Sequence, residues 1–238
     1  MKTTKGFSAN TLKLIAIVAM TIDHLASLLY PGFPKEPLPL VMHLIGRLTA
    51  PIMIYFIAEG YFHTRNVKKY IGRLLLFAAI SHIPYILMFG GEFTMFGIQM
   101  TSVMLPFAMG LSALAVDQSK DPRLTPVTKP ILVYGLCALA FFSDWSMPGA
   151  MAVVFVGRNH GNFKRQMLGL ATAIAMYATV YAFSFDMVYG ILQMGIVLSF
   201  PLLALYNQTR GKARWLKWFF YIYYPAHLLI LGLIRIYG

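Results

Sequence analysis

The stretch IAEGYFHTRNVKKYIGRL, Ile57–Leu74, is the point from which the architecture can be read. It leaves one long apolar run, passes Arg65, Lys68, Lys69 and Arg73, and enters the next apolar run without a domain-sized interval between them. Working outward, apolar runs recur near 11–30, 40–62, 70–90, 96–116, 130–143, 147–157, 166–184, 188–206 and 216–236. Every second gap is basic. Lys2, Lys5 and Lys13 open the series, followed by the Arg65–Arg73 group, then Lys120, Arg123 and Lys129. Arg158, Lys164 and Arg165 come next, then Arg210, Lys212, Arg214 and Lys217. The alternate gaps hold only Lys35 and Arg235 but carry the acids Glu36, Glu92, Asp144 and Asp186, while Arg47 lies inside a run. Short basic loops stay cytoplasmic. The chain therefore reads as an all-α, polytopic transmembrane helix bundle of about nine spans, with its N-terminus cytoplasmic and its C-terminus outside.

Composition agrees. At 58% hydrophobic and 12% charged residues, with mean hydropathy +0.66, the chain carries more apolar surface than a soluble fold of 238 residues can bury. The net charge of +12 sits in short loops, which points to topology and anionic lipid headgroups and away from nucleic acid. No gap is long enough for an extramembrane domain, so residues 1–238 read as a single integral membrane domain in the cytoplasmic (inner) membrane. The first run continues past any cleavage site through Asp23 and His24, as an uncleaved span would. Ser143-Asp144-Trp145-Ser146 divides the 130–157 region into two pieces short of the roughly 20 residues a spanning helix needs. Two short spans with a tight outer turn fit the charge alternation; one re-entrant element is the alternative. The lone Cys137 lies in an apolar run and reads as a small packing residue.

Ionisable groups at membrane depth are expensive and face a bundle interior or a watery cavity. At about 1.5 Å per residue, His24, Arg47, His82, Gln193 and His227 come from five runs yet all fall about 17–22 Å from the basic side. Asp23 and His24 are neighbours and point about 100° apart, so they do not bond each other; Arg47 is the cationic partner for Asp23. A lone intramembrane histidine is as often a packing residue as a reactive one, which applies to His82 and His227. His43, His63 and His160 read as solvated loop or mouth residues. No two deep histidines share a run, so the paired spacing of a zinc site is missing and no metal is expected. Around the basic turn, Glu59 sits at the membrane edge, and Arg65, Lys69 and Arg73 share one helical face near Lys68. That group is either a topogenic loop or a cytosolic phosphate-binding patch.

Four pieces of the chain resemble the TraX family of integral membrane proteins: LKLIAIVAMTIDHLA (Leu12–Ala26), IGRLTAPIMIYFIAEGYFHTRNVKKYIGRLLLFAAISHIP (Ile45–Pro84), YGILQMGIVLSFPLLALYN (Tyr189–Asn207) and FFYIYYPAHLLIL (Phe219–Leu231). The Asp-His pair and the Glu-Gly…His-Thr-Arg stretch carry the specificity. The resemblance implies a bilayer-embedded acetyltransferase that takes acetyl groups from cytosolic acetyl-CoA to a peptide, sugar or lipid acceptor, as in N-acetylation of a pilin. It implies acetyl-CoA phosphates on Arg65, Lys68, Lys69 and Arg73, with Glu59 beside them and Arg210, Lys212 and Arg214 as additions. His24 would be the general base, supported by Asp23, with Arg47 pairing Asp23 or holding the oxyanion and with His227 and His82 as second candidates. Two other readings stand beside it: a proton-coupled transporter using the same Asp/His/Arg cluster, and a non-catalytic conjugation or secretion assembly factor. Transporters often carry internal repeats and paired Gly/Pro-broken helices; neither is evident in the sequence.

Overall fold

The protein is described here by a computed structural model, covering residues 6–32, 34–90, 94–95, 97–213 and 215–238. The readings placed on Lys2, Lys5, Glu92 and Arg214 lie outside the described residues. The architecture is all-helical, apart from a two-residue antiparallel pairing, β1 (Thr94–Met95) with β2 (Ile98–Gln99). Six segments among the described residues are long and apolar enough to cross a membrane. They are α1 (Ala9–Leu29), α2 (Pro37–Gly46) continued by α3 (Thr49–His63), α4 (Val67–Phe89), α8 (Phe163–Ser184), α9 (Met187–Leu192) continued to α10 (Ser199–Ala204), and α11 (Leu216–Tyr237). Three of the nine apolar runs form shorter helices: α5 (Met104–Asp117), α6 (Thr128–Ala138) and α7 (Ser146–Arg158).

Local chemistry sets the helix ends. Ser8, Asn66, Asn162 and Asp186 each accept the backbone N–H three residues on, capping α1, α4, α8 and α9. The Asp186 carboxyl is held below its ordinary pKa, first by the Tyr189 N–H and then by Lys35. Two of the long segments are broken, and proline is the cause in each. Pro51, at the third position of α3, cannot donate to the carbonyl of Arg47, so the helix interrupts at Arg47–Leu48. Pro201 likewise leaves the carbonyl of Val197 without its i+4 donor, and the chain tightens to a 3-10 stretch over Gln193–Leu198. The apparent lack of paired broken helices in the sequence is therefore corrected.

The helix ends meet as the charge alternation requires. At one end Ala9 N–H donates to Thr209 O, His160 reaches Glu59, and Arg158 pairs with Asp117 at 2.7 Å. At the other end Lys35 pairs with Asp186 at 3.1 Å, Tyr189 Oη donates to Pro34 O, and Arg235 donates to Met88 O. The core is continuous apolar packing among α1, α3, α4, α5, α7, α8 and α11. Cys137 is fully buried in a second cluster between α5, α6 and α7, as a packing residue. Gly46 allows the closest approach at the site: a Cβ there would overlap Asp23.

Candidate functional site

The break at Arg47 aims the guanidinium across the bundle. Arg47 Nη2 donates to both Asp23 oxygens, at 2.8 and 2.9 Å, Nε donates to His43 O at 3.0 Å, and Nη1 donates to Gln193 Oε1 at the start of the 3-10 stretch. His43 Nδ1 lies 2.8 Å from Asp23 Oδ1. The two proline-broken segments are thus pinned together and to α1 by one ion pair. Nε, Nη1 and Nη2 of Arg47 each face a partner in this network, so it is a structural clamp, with one Nη1 N–H outside these bonds. His43 is buried in this network; its reading as a solvated mouth residue is corrected. Its i, i+4 spacing from Arg47 was the available signal.

The reactive geometry lies one residue along α1. His24 Nδ1 is 2.7 Å from His227 Nε2, both rings are buried, and the rings lie parallel. His227 Nδ1 is in turn 2.9 Å from the carbonyl oxygen of Tyr223. A carbonyl only accepts, so His227 Nδ1 carries a proton. With His227 neutral, its Nε2 accepts, so His24 Nδ1 donates and the lone pair of His24 Nε2 is left bare. The orienting group for His24 is therefore His227, and Asp23 does not touch it. Adjacent helical positions diverge, and Asp23 is committed to Arg47 and His43. His82 is exposed, bonds Thr101 Oγ1 at 2.9 Å and lies outside the cluster. Among the described residues no group of three His, Cys, Asp or Glu side chains is arranged to hold a metal.

Two cavities meet at this layer. The larger, about 790 Å³, follows α1 from Asn10 to His24 and is rimmed by Lys13, Arg65, Arg73, Arg210 and Lys217. The smaller, about 190 Å³, runs from His24 past Ser27 to Tyr30–Gly32 at the other end of α1. Asp23, His24, Arg47, Asp144 and Trp145 line both. None of the five rim cations has an ion-pair partner within 4 Å among the described residues. Lys13 Nζ lies over the Phe56 and Phe220 rings at 5.2 and 5.6 Å, and Arg73 Nε is buried without a hydrogen-bond acceptor. This rim gathers positive charge at one mouth of the larger cavity. Of the residues singled out in the basic turn, Arg65 and Arg73 reach it, whereas Lys68 and Lys69 are exposed and do not line the cavity. Glu59 lines it too, but its Oε1 faces His160 at 3.0 Å and Gln166 at 3.2 Å. His160, read from the sequence as solvated, ties the turn before α8 to α3.

Asp144 and Trp145 are site residues that the sequence reading did not single out. The turn that carries them joins α6 to α7, and Thr101 accepts Asp144 N–H at 2.8 Å and donates its own N–H to Phe142 O, folding the turn toward the bundle. Trp145 and Ser146 adopt positive φ, at 65° and 46°, a backbone state uncommon for non-glycine residues and concentrated at functional sites. The Trp145 ring stacks on Tyr177 at 4.8 Å and faces the Arg47 guanidinium at 6.0 Å.

A helical membrane-type bundle with a buried His–His pair between two cavities is the class that fold and site define. The chain belongs to the TraX family: a family model described as TraX protein matches residues 8–235. It is also 31% identical over 236 residues, 94% of each chain, to the probable fimbrial assembly protein FimC, serogroup H1, of Dichelobacter nodosus. No solved structure matches.

Proposed function

We propose that this chain is an acetyltransferase of the cytoplasmic membrane, moving an acetyl group from cytosolic acetyl-CoA to an amine or hydroxyl acceptor on the far side, such as a pilin-like peptide terminus. The observation that carries this reading is the continuous cavity from an anion-binding rim to the bare nitrogen of His24. The acetyl-CoA phosphates rest on Arg65, Arg73, Arg210, Lys13 and Lys217, and the thioester arm runs along α1 to the buried layer. His24 Nε2 takes the acceptor's N–H or O–H proton as that atom attacks the thioester carbonyl. The new bond to carbon forms, the carbon–sulfur bond breaks, and His24 returns the proton to the departing thiolate. While His24 is charged, its Nδ1–H donates to His227, itself fixed by the Tyr223 carbonyl. The fimbrial assembly relative supports a pilin-type acceptor. Incubating purified protein with labelled acetyl-CoA and membrane extract tests the reading: a labelled acceptor is the expected result, and label that stays on acetyl-CoA sinks it.

The rim makes a separate forecast. Arg65→Gln with Arg73→Gln raises the KM for acetyl-CoA with little change in kcat, and the effect shrinks as salt rises. Lys68→Gln with Lys69→Gln leaves KM unchanged. If the second pair has the larger effect, the cavity rim is not the phosphate site.

In the full proposal the nine apolar runs all cross or enter the bilayer, with the basic end cytosolic. A cysteine placed at position 36 is then labelled by an impermeant reagent from outside, and one at position 66 is spared. Labelling at 66 from outside overturns the orientation.

One observation favours a second reading. Paired broken helices beside a buried charged layer, with a cavity on either side, also suit a proton-coupled transporter. Proton uptake into proteoliposomes with no acetyl transfer distinguishes it.

A further inference from the structure

The charge count of the buried layer is uneven. Asp23 takes Arg47 through both oxygens, His24 bonds His227, and His43 bonds Asp23. Asp144 is left over. No Lys, Arg or His nitrogen lies within 4 Å of its carboxylate among the described residues, and its side-chain partner is Tyr177 Oη at 3.4 Å. The smaller cavity into which it faces is walled by Tyr85, Tyr177, Tyr181, Tyr189 and Trp145. The Arg47 guanidinium lines this cavity too but is committed to Asp23, and a carboxylate set among aromatic rings is a surrounding that recognises an organic cation, because ring quadrupoles and the anion act with the same sign. At about 190 Å³ the cavity is below the range for drug-sized ligands and takes only a small head group.

We infer that the smaller cavity is a binding site for a primary ammonium head group, with Asp144 as its counter-ion and the tyrosine and tryptophan rings as its walls. This deepens the acetyl-transfer reading and rests on it for one point, that the bound ammonium belongs to the acceptor, which passes one proton to the Asp144 carboxylate and attacks as the free amine. Asp144 lines both cavities beside His24, so a group held there lies where the larger cavity delivers its contents. Asp144 is a positioning residue, distinct from the His24–His227 pair. The inward fold of its turn on Thr101 and the left-handed Trp145–Ser146 backbone are what hold it there.

The test uses purified full-length protein in nanodiscs, titrated by calorimetry with alaninamide and with uncharged N-acetylalaninamide. Alaninamide binds saturably and the acetylated compound does not. Asp144→Asn weakens alaninamide binding by about tenfold or more while acetyl-CoA binding is unchanged. Ser27→Leu fills the same cavity without touching Asp144 and gives the same split, which covers the case in which Asp144→Asn fails to fold. Wild-type alaninamide affinity in either folded variant overturns the inference, as does absence of saturable binding in the unaltered protein. The two readings fail separately. Asp144-dependent alaninamide binding by a protein that transfers no acetyl group retains the cation site and removes the acetyltransferase. Acetyl transfer with an unchanged amine KM in Asp144→Asn does the reverse.

Discussion

His24→Ala lowers kcat by about 10²-fold or more while acetyl-CoA still binds near its wild-type affinity. The expectation follows from the tautomer chain: Tyr223 O fixes the proton on His227 Nδ1, and that fixes the lone pair on His24 Nε2 at the junction of the two cavities. His227→Ala falls between His24→Ala and wild type, because the base survives but loses the ring that orients it. His82→Ala leaves turnover unchanged, since His82 faces away and bonds Thr101. The measurement is single-turnover acetyl transfer on folded protein. Normal turnover in folded His24→Ala removes the base assignment. Equal losses from folded His82→Ala and His24→Ala put His82 in the reaction as well and overturn its exclusion.

Arg47→Met has the larger effect on stability. The substitution strips Asp23 of its bidentate partner in a largely buried setting, and breaking such a pair costs about 3–5 kcal/mol. It also removes a bond between the two proline-broken segments, because Arg47 of the first donates to Gln193 Oε1 of the second. The expected outcome is loss of the monodisperse peak on size exclusion in mild detergent, or a sharply lowered Tm. The double variant Asp23→Asn with Arg47→Met recovers part of that loss, since no charge is then left unpaired. If Arg47→Met is as stable as wild type, the clamp is not what holds these segments, and Arg47 is available for the chemistry after all.

The legible part of this molecule was the part governed by the solvent. Bilayer energetics write directly into composition and loop charge, so the apolar runs and the convergence of Asp23, His24, Arg47 and His227 on one cluster of contacts could be read from residues. The Asp23–Arg47 pair followed because a buried charge requires a partner. What the sequence hid was side-chain direction. Lys68 and Lys69 sit beside Arg65 and Arg73 in the chain, but only the two arginines reach the cavity, while Lys13, Arg210 and Lys217 arrive from other elements. The His24–His227 bond spans 203 positions and no local pattern announces it. Asp144 was passed over for a related reason. A polar interruption between two apolar runs signals a turn, but nothing in Ser-Asp-Trp-Ser says that Thr101 draws the turn inward.

The shortness of α6 and α7 matters beyond the chain itself. At 11 and 13 residues they are about 16 and 20 Å long, against a hydrocarbon thickness near 30 Å. They pack with α5, at 14 residues also short, and Ile131, Leu132 and Leu139 of the α6 region are exposed. In the nine-span arrangement proposed above, lipid along this flank would meet a hydrophobic belt several ångströms too low, a mismatch that local thinning of the bilayer relieves. The headgroup layers are then drawn closest together beside the turn that carries Asp144 and Trp145. On that flank, a molecule approaching from one face and one approaching from the other have the least hydrocarbon between them.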